Sequence, residues 1–230
     1  MSLKLALIGD GKVGSKFAEL VAQTLGNKYA PLTIFNENHL PTLDNLRGHD
    51  AIVSFVPGHA FIELIPLLLS SKIPVVTGST GFTWQQDVLE KIKNNQCKWI
   101  HGTNFSLGMS LIHKMIQVLS NTPKLFNDYR ALIHEIHHIH KKDAPSGTAL
   151  SWKNWLNLPC EVTSERAGEV IGFHQLTLTA PNEKIILTHE ATDRKIFAQG
   201  ALWAVEQVLN NKNIPDGLNR FEDITTSLLL

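Results

Sequence analysis

Apolar residues in the first hundred positions fall into short runs, and these runs alternate with segments whose apolar residues recur at helical spacing. The strand-like runs cover residues 3–8, 32–35, 51–56, 73–77 and 98–101. The helix-like segments cover residues 13–25, 59–69 and 84–94. This alternation predicts an α/β fold in which a parallel sheet carries helices on both faces.

The pattern changes after Asn104. The later segments predict a helix at 108–119, a strand at 129–137, a helix starting near Ser146, strands at 172–180 and 184–190, and a helix at 199–209 before a polar tail. Pro181-Asn182 is typical of a hairpin turn between the last two strands. We therefore predict one domain over residues 1–106, completed by 200–230, and a smaller α+β domain with a mixed sheet over 107–199.

Composition and charge narrow the class of protein. The 21 Lys and Arg residues balance 21 Asp and Glu residues, which argues against a nucleic-acid-binding surface, and 43% hydrophobic residues argue against disorder. Neither of the two cysteines, Cys97 and Cys160, has metal-ligand spacing. The N-terminal apolar run is too short for a secretory signal, and no run approaches the ~20 residues of a membrane span. We expect a soluble cytoplasmic protein whose low charged fraction, 18%, is consistent with subunit contacts.

A glycine-rich turn follows the first predicted strand and leads directly into a helix. Glycines at such a turn allow a tight bend, a close approach of a diphosphate to backbone N–H groups, and close packing of helix on strand. The pattern G-x-G-x-x-G between strand and helix predicts a Rossmann-type dinucleotide site. The residues of this predicted site are Gly9, Asp10, Gly11, Lys12, Val13 and Gly14.

The end of the second strand predicts how the cofactor ribose is bound. An acid at this place usually accepts hydrogen bonds from the ribose hydroxyls, and here the chain reads Phe35-Asn36-Glu37. Glu37 in the pocket would repel the 2′-phosphate of NADPH and favour NADH. If Glu37 instead turns to solvent, Asn36 would bind the ribose and Lys12 would attract the phosphate. The cofactor is therefore NADH or NADPH.

Residues 135–149 form the densest group of polar side chains in the chain. A zinc site is one alternative, because histidine is a common zinc ligand. His137 and His138 are adjacent on a predicted strand and point to opposite faces, so they converge poorly on one ion, and only Glu135 or Asp143 could complete the site. We predict no metal; surface histidines on a loop are a second alternative.

A site for a dianionic substrate accounts for the same residues. Lys141 supplies positive charge and a transferable proton, and a histidine exchanges protons near neutral pH. Pro145-Ser146-Gly147-Thr148 is typical of a helix start with Ser146 as N-cap. The backbone N–H groups of Gly147 and Thr148 would then be available to a carboxylate.

The segment E-x-H-H-x-x-K-x-D-A-P-S-G-T-A resembles that of the 4-hydroxy-tetrahydrodipicolinate reductase family, also called dihydrodipicolinate reductases. Four other segments are similar to elements of the family: T-G-S-T-G at 77–81, N-F-S-L-G at 104–108, I-G-F at 171–173 and F-A-Q-G-A at 197–201. The likeness spans nearly the whole chain. Ser79 stands where the family usually has threonine, and the acid-then-arginine pair of some members is absent after Phe35.

The resemblance implies particular roles for several residues. His137 would donate or accept a proton, Lys141 would donate one, and His138 would contact substrate. Ser146, Gly147 and Thr148 would form the site for a substrate carboxylate. The residues implied to border the nicotinamide are Gly78, Ser79, Thr80, Gly102, Thr103, Asn104 and Phe105.

The resemblance also implies a reaction and an assembly. The reaction is NAD(P)H-dependent reduction of 4-hydroxy-tetrahydrodipicolinate, a small dicarboxylate, to tetrahydrodipicolinate in lysine and diaminopimelate biosynthesis. The assembly is a homotetramer, with a dimer as the alternative because residues 173–190 span a shorter stretch than in the family. Two other functions remain open: another Rossmann amino-acid dehydrogenase, such as one acting on aspartate or homoserine, and a non-catalytic NAD(P) sensor.

Overall fold

The computed structural model describes residues 2–24 and 28–229. It divides into two compact units. The first contains the described residues up to Ser106 together with Arg194–Leu228, and the second centres on Leu107–Asp193. The predicted end of the first helix, Leu25, lies outside the described residues. Within the part of the chain described, no helix is both long and apolar enough to cross a bilayer.

The first unit begins with alternating strands and helices. These are β1 Leu5–Ile8, α1 Lys12–Gln23, β2 Thr33–Phe35, α2 Leu43–Leu46, β3 Ala51–Ser54, α3 Gly58–Ser71, β4 Val75–Thr77, α4 Gln86–Asn94 and β5 Lys98–His101. The second unit follows. Its elements are α5 Leu107–Leu119, a 3-10 helix Thr122–Lys124, β6 Arg130–His137, α6 Gly147–Leu156, β7 Glu161–Arg166, β8 Gly172–Ala180 and β9 Glu183–Ala191. The chain then returns to the first unit. There it forms α7 Lys195–Asn210, β10 Gly217–Arg220 and α8 Phe221–Ser227.

The six strands of the first unit form a parallel sheet in the order β10-β5-β4-β3-β1-β2. Alternate residues of β1 enter different cores: Leu5 and Leu7 pack with side chains of α1 and α7, whereas Ala6 and Ile8 pack with side chains of α3. Both faces are therefore buried, as expected for a parallel sheet. The carboxyl ends of β1 and β4 lead into the two predicted cofactor loops.

The second unit contains a four-stranded mixed sheet in the order β7-β6-β8-β9. β7 runs parallel to β6, and β8 runs antiparallel to both β6 and β9. Helices α5 and α6 cover one face of the sheet around the buried Trp152. Alternation along β6 places Ala131, Ile133, Glu135 and His137 on the buried face. The sheet thus carries two polar side chains, Glu135 and His137, on the same face as its core.

These observations confirm the predicted fold class, a Rossmann-type parallel sheet and a smaller α+β unit with a mixed sheet. They also add to and correct the sequence-based interpretation. β7 and the short helix α2 were not predicted, the polar tail contains β10 and α8, and α7 starts at Lys195 instead of Gln199. The reason is similar for β7 and β10. Both are short, largely polar edge strands without an apolar alternation to reveal them.

Candidate active site

At the glycine turn between β1 and α1, the helix packs closely against the end of the strand. Gly9 has φ +97°, a conformation that side chains other than glycine rarely adopt. A Cβ on Gly14 would lie 2.0 Å from the carbonyl oxygen of Gly9, so a side chain there would collide with backbone. These two glycines therefore account for the geometry of the turn.

The same turn has the features that a dinucleotide diphosphate requires. Gly11 precedes the first residue of α1, and a Cβ on Gly11 would meet no atom within 4 Å. Within residues 2–24 and 28–229, no side chain caps the first N–H groups of this helix. Free N–H groups and the positive end of the helix dipole attract an anion. The turn therefore fits a dinucleotide cofactor.

A cavity of about 680 Å³ adjoins the turn within the first unit. Apolar side chains such as Leu40 and Leu64 line it together with three acids, Asp10, Glu37 and Glu63. Its lining, as described, includes no lysine or arginine, so Lys12 is outside it. The cavity has the mixed apolar and polar character of a small-molecule site, and its charge is negative.

The side chain of Asn36 is hydrogen-bonded to neighbouring residues. Its side-chain Nδ2 donates to Asp10 at 2.8 Å, and its Oδ1 accepts from the backbone N–H groups of Asn38 and His39 at 3.0 and 3.1 Å. Glu37 is exposed and lines the cavity. The side chain of Asn36 therefore shapes the turn after β2, and Glu37 and Asp10 are better placed to meet a ribose.

The two remaining cofactor segments follow β4 and β5, which are neighbours in the sheet. Gly78 is half-buried against Phe55, where a Cβ would lie 2.7 Å from the ring, and Ser79 is fully buried beside the exposed Thr80. The hydroxyl of Ser79 has no hydrogen-bond partner among the residues described. A buried hydroxyl without a partner is costly unless a ligand or water satisfies it, which fits a group bound at this loop.

The segment after β5 offers a bound cofactor mainly backbone groups, and few side chains. Gly102 is buried and Thr103 is exposed. Asn104 accepts a hydrogen bond from the N–H of Ser106 at 2.9 Å. Phe105 is 3% exposed and packs against Phe221, with ring centroids 4.7 Å apart. The ring of Phe105 therefore belongs to the core, and only its backbone is left to border a nicotinamide.

The second unit buries a glutamate–histidine pair on β6. Glu135 is fully buried, and one of its carboxylate oxygens makes a short contact with His137 Nδ1. Because a carboxylate accepts, Nδ1 carries the hydrogen and donates, which makes Nε2 the nitrogen that exchanges a proton. A Cβ on Gly172 would lie 3.2 Å from that Nε2, so the glycine leaves room for the ring.

The two pKa values are shifted for different reasons. Burial lowers the pKa of His137, and the Glu135 carboxylate only partly opposes that effect. Burial would raise the pKa of Glu135, but hydrogen bonds from Ser164, Arg166 and His137 outweigh it and bring the pKa below its ordinary value. The pair is therefore an ionised carboxylate holding an imidazole that is readily neutral.

Arg166, at the end of β7, connects Glu135 to the loop that follows β6. Its Nη2 lies 3.1 Å from Glu135 Oε1 and also donates to the carbonyl oxygen of Asp143. Its Nε donates to the carbonyl oxygen of Lys141 at 3.3 Å. One guanidinium thus fixes the carboxylate and two backbone groups of the lysine loop, using the planar fork of donors that arginine offers.

Lys141 lies on this loop with its ammonium directed at Asp143, at 2.8 and 2.9 Å from the two carboxylate oxygens. The hydrogen bond from Lys141 lowers the pKa of Asp143. His138 is half-buried, and its ring lies 6.2 Å from that of the exposed His140. Lys141 is close enough for its charge to lower the pKa of His137.

Ser146 is the N-cap of α6, as the sequence predicts. Its Oγ accepts from the N–H of Ala149 at 3.2 Å, and its own N–H donates to Glu135 at 3.2 Å. Gly147 is exposed and has open space at its Cβ position, and Thr148 is half-buried. The buried carboxylate therefore connects His137 to the helix start that was predicted to bind a substrate carboxylate.

His174 completes the cluster. It lies opposite Glu135 in the pairing of β6 with β8, and its Nε2 is 3.2 Å from Ser146 Oγ. Burial lowers its pKa to about 3, so the ring is neutral. Its Nδ1 is buried without a hydrogen-bond partner in the described part of the chain. Alternation along β8 puts His174 on the face of Leu176 and Leu178, so a histidine at a core position was the signal in the sequence.

Glu135, His137 and His174 have ligand atoms within 4.8 Å of one another, a grouping that could hold a metal ion. The carboxylate, however, already pairs with the Arg166 guanidinium and with His137. A metal cation between the two histidines would be repelled by the nearby positive charge of the Arg166 guanidinium. The arrangement favours a hydrogen-bonded proton site over a metal site.

Comparisons with known proteins identify the family. The family model described as "Dihydrodipicolinate reductase, C-terminus" matches residues 108–224. A 4-hydroxy-tetrahydrodipicolinate reductase of Thermosipho africanus is 36% identical over 196 residues, covering 82% of this chain and 88% of the relative. The chain belongs to the dihydrodipicolinate reductase family. It is therefore an oxidoreductase of the reduction step in lysine and diaminopimelate biosynthesis, and the family implies a nicotinamide cofactor, NADH or NADPH.

A further relative is similar to the chain in sequence, and a solved structure is similar to it in fold. The 4-hydroxy-tetrahydrodipicolinate reductase of Pelagibacter ubique is 29% identical over 245 residues and covers 91% of this chain and 94% of its own. The solved structure of a dipicolinate-bound dihydrodipicolinate reductase from Paenisporosarcina sp. TG-14 superposes with a TM-score of 0.72 at 21% identity, covering 97% of this chain and all of the other. That likeness in structure supports the fold.

Proposed function

We propose that the protein reduces 4-hydroxy-tetrahydrodipicolinate to tetrahydrodipicolinate with NADH or NADPH, and that His137 and Lys141 carry the proton transfer. The observation that supports this most is the buried Glu135, which contacts both His137 and the N-terminus of α6. A substrate with two carboxylates matches a site that combines an ammonium group, a helix N-terminus and a titrating imidazole.

When bound, the reduced nicotinamide would supply a hydride, the protein supplies charge and protons, and the 4-hydroxyl of the substrate leaves as water with one of those protons. The N–H groups of Gly147 and Thr148 bind one substrate carboxylate, with Ser146 holding the helix start and Lys141 balancing the charge. Lys141 must exchange its pairing with Asp143 for one with substrate. His137 donates or accepts a proton at Nε2 while Glu135 holds Nδ1. His138, beside them, contacts the substrate ring.

The first unit is the proposed cofactor-binding domain. The diphosphate would lie on the N-terminus of α1, against Gly11, and the ribose would face Asp10 and Glu37. The loop of Gly78, Ser79 and Thr80 and the backbone of residues 102–105 would border the nicotinamide. The buried hydroxyl of Ser79 supports this, because it has no partner within the described residues and a bound carboxamide would provide one.

NADH is the preferred cofactor in this proposal. Three carboxylates line the cavity beside the turn, and its described lining carries no lysine or arginine to neutralise a 2′-phosphate. Like charges brought together in a partly desolvated pocket repel. The substrate domain, predicted as residues 107–199, is proposed to correspond to the second compact unit, which ends at Asp193. The protein is proposed to be a cytoplasmic homo-oligomer, a tetramer or a dimer.

A coupled assay tests the function. Freshly generated 4-hydroxy-tetrahydrodipicolinate is added to the protein with NADH and, separately, with NADPH, and loss of reduced-cofactor absorbance is followed. We expect turnover with NADH at a higher kcat/KM, and loss of most turnover in Lys141→Ala. Lys142→Ala is the matched control, because Lys142 is an exposed neighbour of Lys141. Near-normal kcat and KM in Lys141→Ala would contradict the role of Lys141.

The same assay separates the two other functions. A Rossmann amino-acid dehydrogenase would oxidise an amino acid such as aspartate or homoserine with the oxidised cofactor and leave this substrate unchanged. A non-catalytic sensor would bind the cofactor without any turnover. The presence of both proton-transfer groups in one cluster favours the reductase.

A further inference from the structure

Two hydrogen bonds in series connect Trp84, through His101, to the loop after β4. The indole Nε1 of Trp84 donates to His101 Nδ1 at 3.3 Å, and His101 Nε2 lies 3.0 Å from the carbonyl oxygen of Ser79. His101 is the last residue of β5 and pairs in register with Thr77 at the end of β4. The two hydrogen bonds therefore connect an aromatic cluster to the loop that follows β4.

Donor and acceptor chemistry permits one tautomer of His101. An indole N–H only donates, and a carbonyl oxygen only accepts. His101 Nδ1 must therefore be the acceptor, and Nε2 must carry the hydrogen. Burial lowers the pKa of His101, with the nearby charge of Arg220 acting in the same direction against the hydrogen bond to Ser79. The ring is thus held in the neutral form that both bonds require.

The surroundings hold both partners in place. The ring centroids of Trp84 and His101 are 5.5 Å apart in an edge-to-face arrangement, and Phe61 packs edge-to-face on Trp84 at 5.8 Å. The ring centroid of Phe82 lies 5.9 Å from that of His101 and 5.0 Å from that of Trp84. Aromatic rings in such contact have few alternative rotamers, so the imidazole has a defined position from which to hold the loop.

We infer that Trp84 and His101 are positioning residues for the cofactor, acting through the backbone of Ser79 on the loop of residues 78–80. The inference rests on the proposed function, in which that loop borders the nicotinamide. His101 ties the carbonyl of Ser79 back toward β5, which leaves the Ser79 hydroxyl and the exposed Thr80 in fixed positions. Without the tie the loop would lose a hydrogen bond and sample other conformations when no cofactor is bound.

Four variants test the inference by titration of NADH fluorescence. His101→Phe removes both bonds and keeps an aromatic ring, and Trp84→Phe removes the first donor. His101→Gln is the conservative replacement, because its amide can accept from Trp84 and donate to Ser79. Phe61→Leu loosens the same aromatic cluster without touching either bond. The dissociation constant for pyridine-2,6-dicarboxylate, a planar substrate mimic, is measured in parallel.

His101→Phe loses the hydrogen bond to the Ser79 carbonyl, and Trp84→Phe loses the one that orients His101. We expect each to weaken NADH binding by about threefold to tenfold, with kcat less affected than the KM for NADH. His101→Gln should bind NADH within about twofold of the wild type. Pyridine-2,6-dicarboxylate binding should not change. An unaltered NADH affinity in His101→Phe, or an equal loss in Phe61→Leu, would overturn the inference. Absence of NADH binding and turnover in the wild type would instead overturn the proposed function.

Discussion

Glu135 contributes to the site without needing to touch substrate. Its carboxylate accepts from His137, Arg166 and the N–H of Ser146, and it is fully buried. Such a group determines which nitrogen of His137 is protonated and how readily it is charged. A neutral replacement of equal size separates this charge effect from simple packing.

Glu135→Gln should lower kcat by about tenfold to a hundredfold and move the alkaline loss of activity to lower pH. The pKa of His137 would fall further, because the carboxylate that opposes the burial effect is gone. The measurement is kcat against pH for wild type, Glu135→Gln and His137→Gln. Glu165→Gln is the matched control, since Glu165 pairs with His134 at 3.8 Å on an exposed position. An unshifted pH profile in Glu135→Gln would show that its charge does not act on His137.

Glu37 is the residue on which cofactor preference is expected to depend. Repulsion of a 2′-phosphate in a partly desolvated pocket amounts to roughly 1–3 kcal/mol, or about fivefold to 150-fold in affinity. Glu37→Arg should therefore shift the preference toward NADPH, and Glu37→Ala should reduce the preference for NADH. Both cofactors are titrated at one fixed salt concentration. Equal or tighter NADPH binding by the wild type, unchanged in Glu37→Ala, would show that Glu37 does not face the cofactor.

At the scale of elements, two glycines of the turn between β1 and α1 have different roles: Gly14 is needed for folding, and Gly11 is expected to be needed for cofactor binding. Gly14→Ala places a methyl group 2.0 Å from the Gly9 carbonyl oxygen, whereas Gly11→Ala meets nothing within 4 Å and has an ordinary φ of −66°. We expect Gly14→Ala to lose about 2 kcal/mol or more of unfolding free energy, and Gly11→Ala to lose less than about 1 kcal/mol.

Cofactor binding gives the second half of this prediction. Gly11→Ala should weaken NADH binding despite its stability, because its methyl group points into the space proposed for the diphosphate. Urea denaturation and NADH titration of the same samples provide both readouts. Undiminished NADH affinity in a folded Gly11→Ala protein would mean that the diphosphate binds elsewhere.

Local patterns in the sequence were sufficient for much of the fold. The runs that became β1, β3 and β4 are largely apolar because both faces of a parallel sheet are buried. The Ser146 N-cap is a local signal read from four residues. β7 and β10 were not predicted, because an edge strand with few apolar residues is defined by its pairing partner and not by its own periodicity.

In the site, too, some residues follow from a local sequence pattern and others only from strand pairing. His137, Lys141 and Ser146 lie within one segment and could be chosen together from their chemistry. Arg166 and His174 join them through strand pairing: Arg166 is in register with His137 on β7, and His174 is opposite Glu135 on β8. Pairing between distant segments leaves no spacing rule in the chain, so the sequence does not show that these two residues join His137 and Glu135.

At the scale of the whole molecule, buried neutral histidines make stability depend on pH. His174 has its pKa lowered by burial from 6.5 to about 3, so the unfolded state binds a proton more readily than the folded state. Stability from this group is complete above the unfolded pKa and is lost as pH falls toward the folded one. Between pH 7 and pH 5 the loss should be about 2 kcal/mol, with His137 adding to it.

Urea denaturation of wild type and His174→Gln at pH 7 and pH 5 measures this effect. The variant should lose about 2 kcal/mol less between the two pH values than the wild type, whatever its stability at pH 7. Glutamine can keep a hydrogen bond to Ser146, which limits the structural cost. Equal pH dependence in the two proteins would mean that His174 is not a buried neutral group. The range above pH 5 keeps most titration of carboxylates out of the comparison.

The central claim is that this chain catalyses transfer of a hydride from a reduced nicotinamide to a cyclic dicarboxylate. Reduced cofactor carrying deuterium at both C4 positions is mixed with excess protein and freshly generated 4-hydroxy-tetrahydrodipicolinate, and the product is analysed by mass spectrometry. We predict tetrahydrodipicolinate that carries one deuterium, formed by the wild type and largely absent with Lys141→Ala. Consumption of the cofactor without labelled product, or no reaction of the wild type with either NADH or NADPH, would contradict the account.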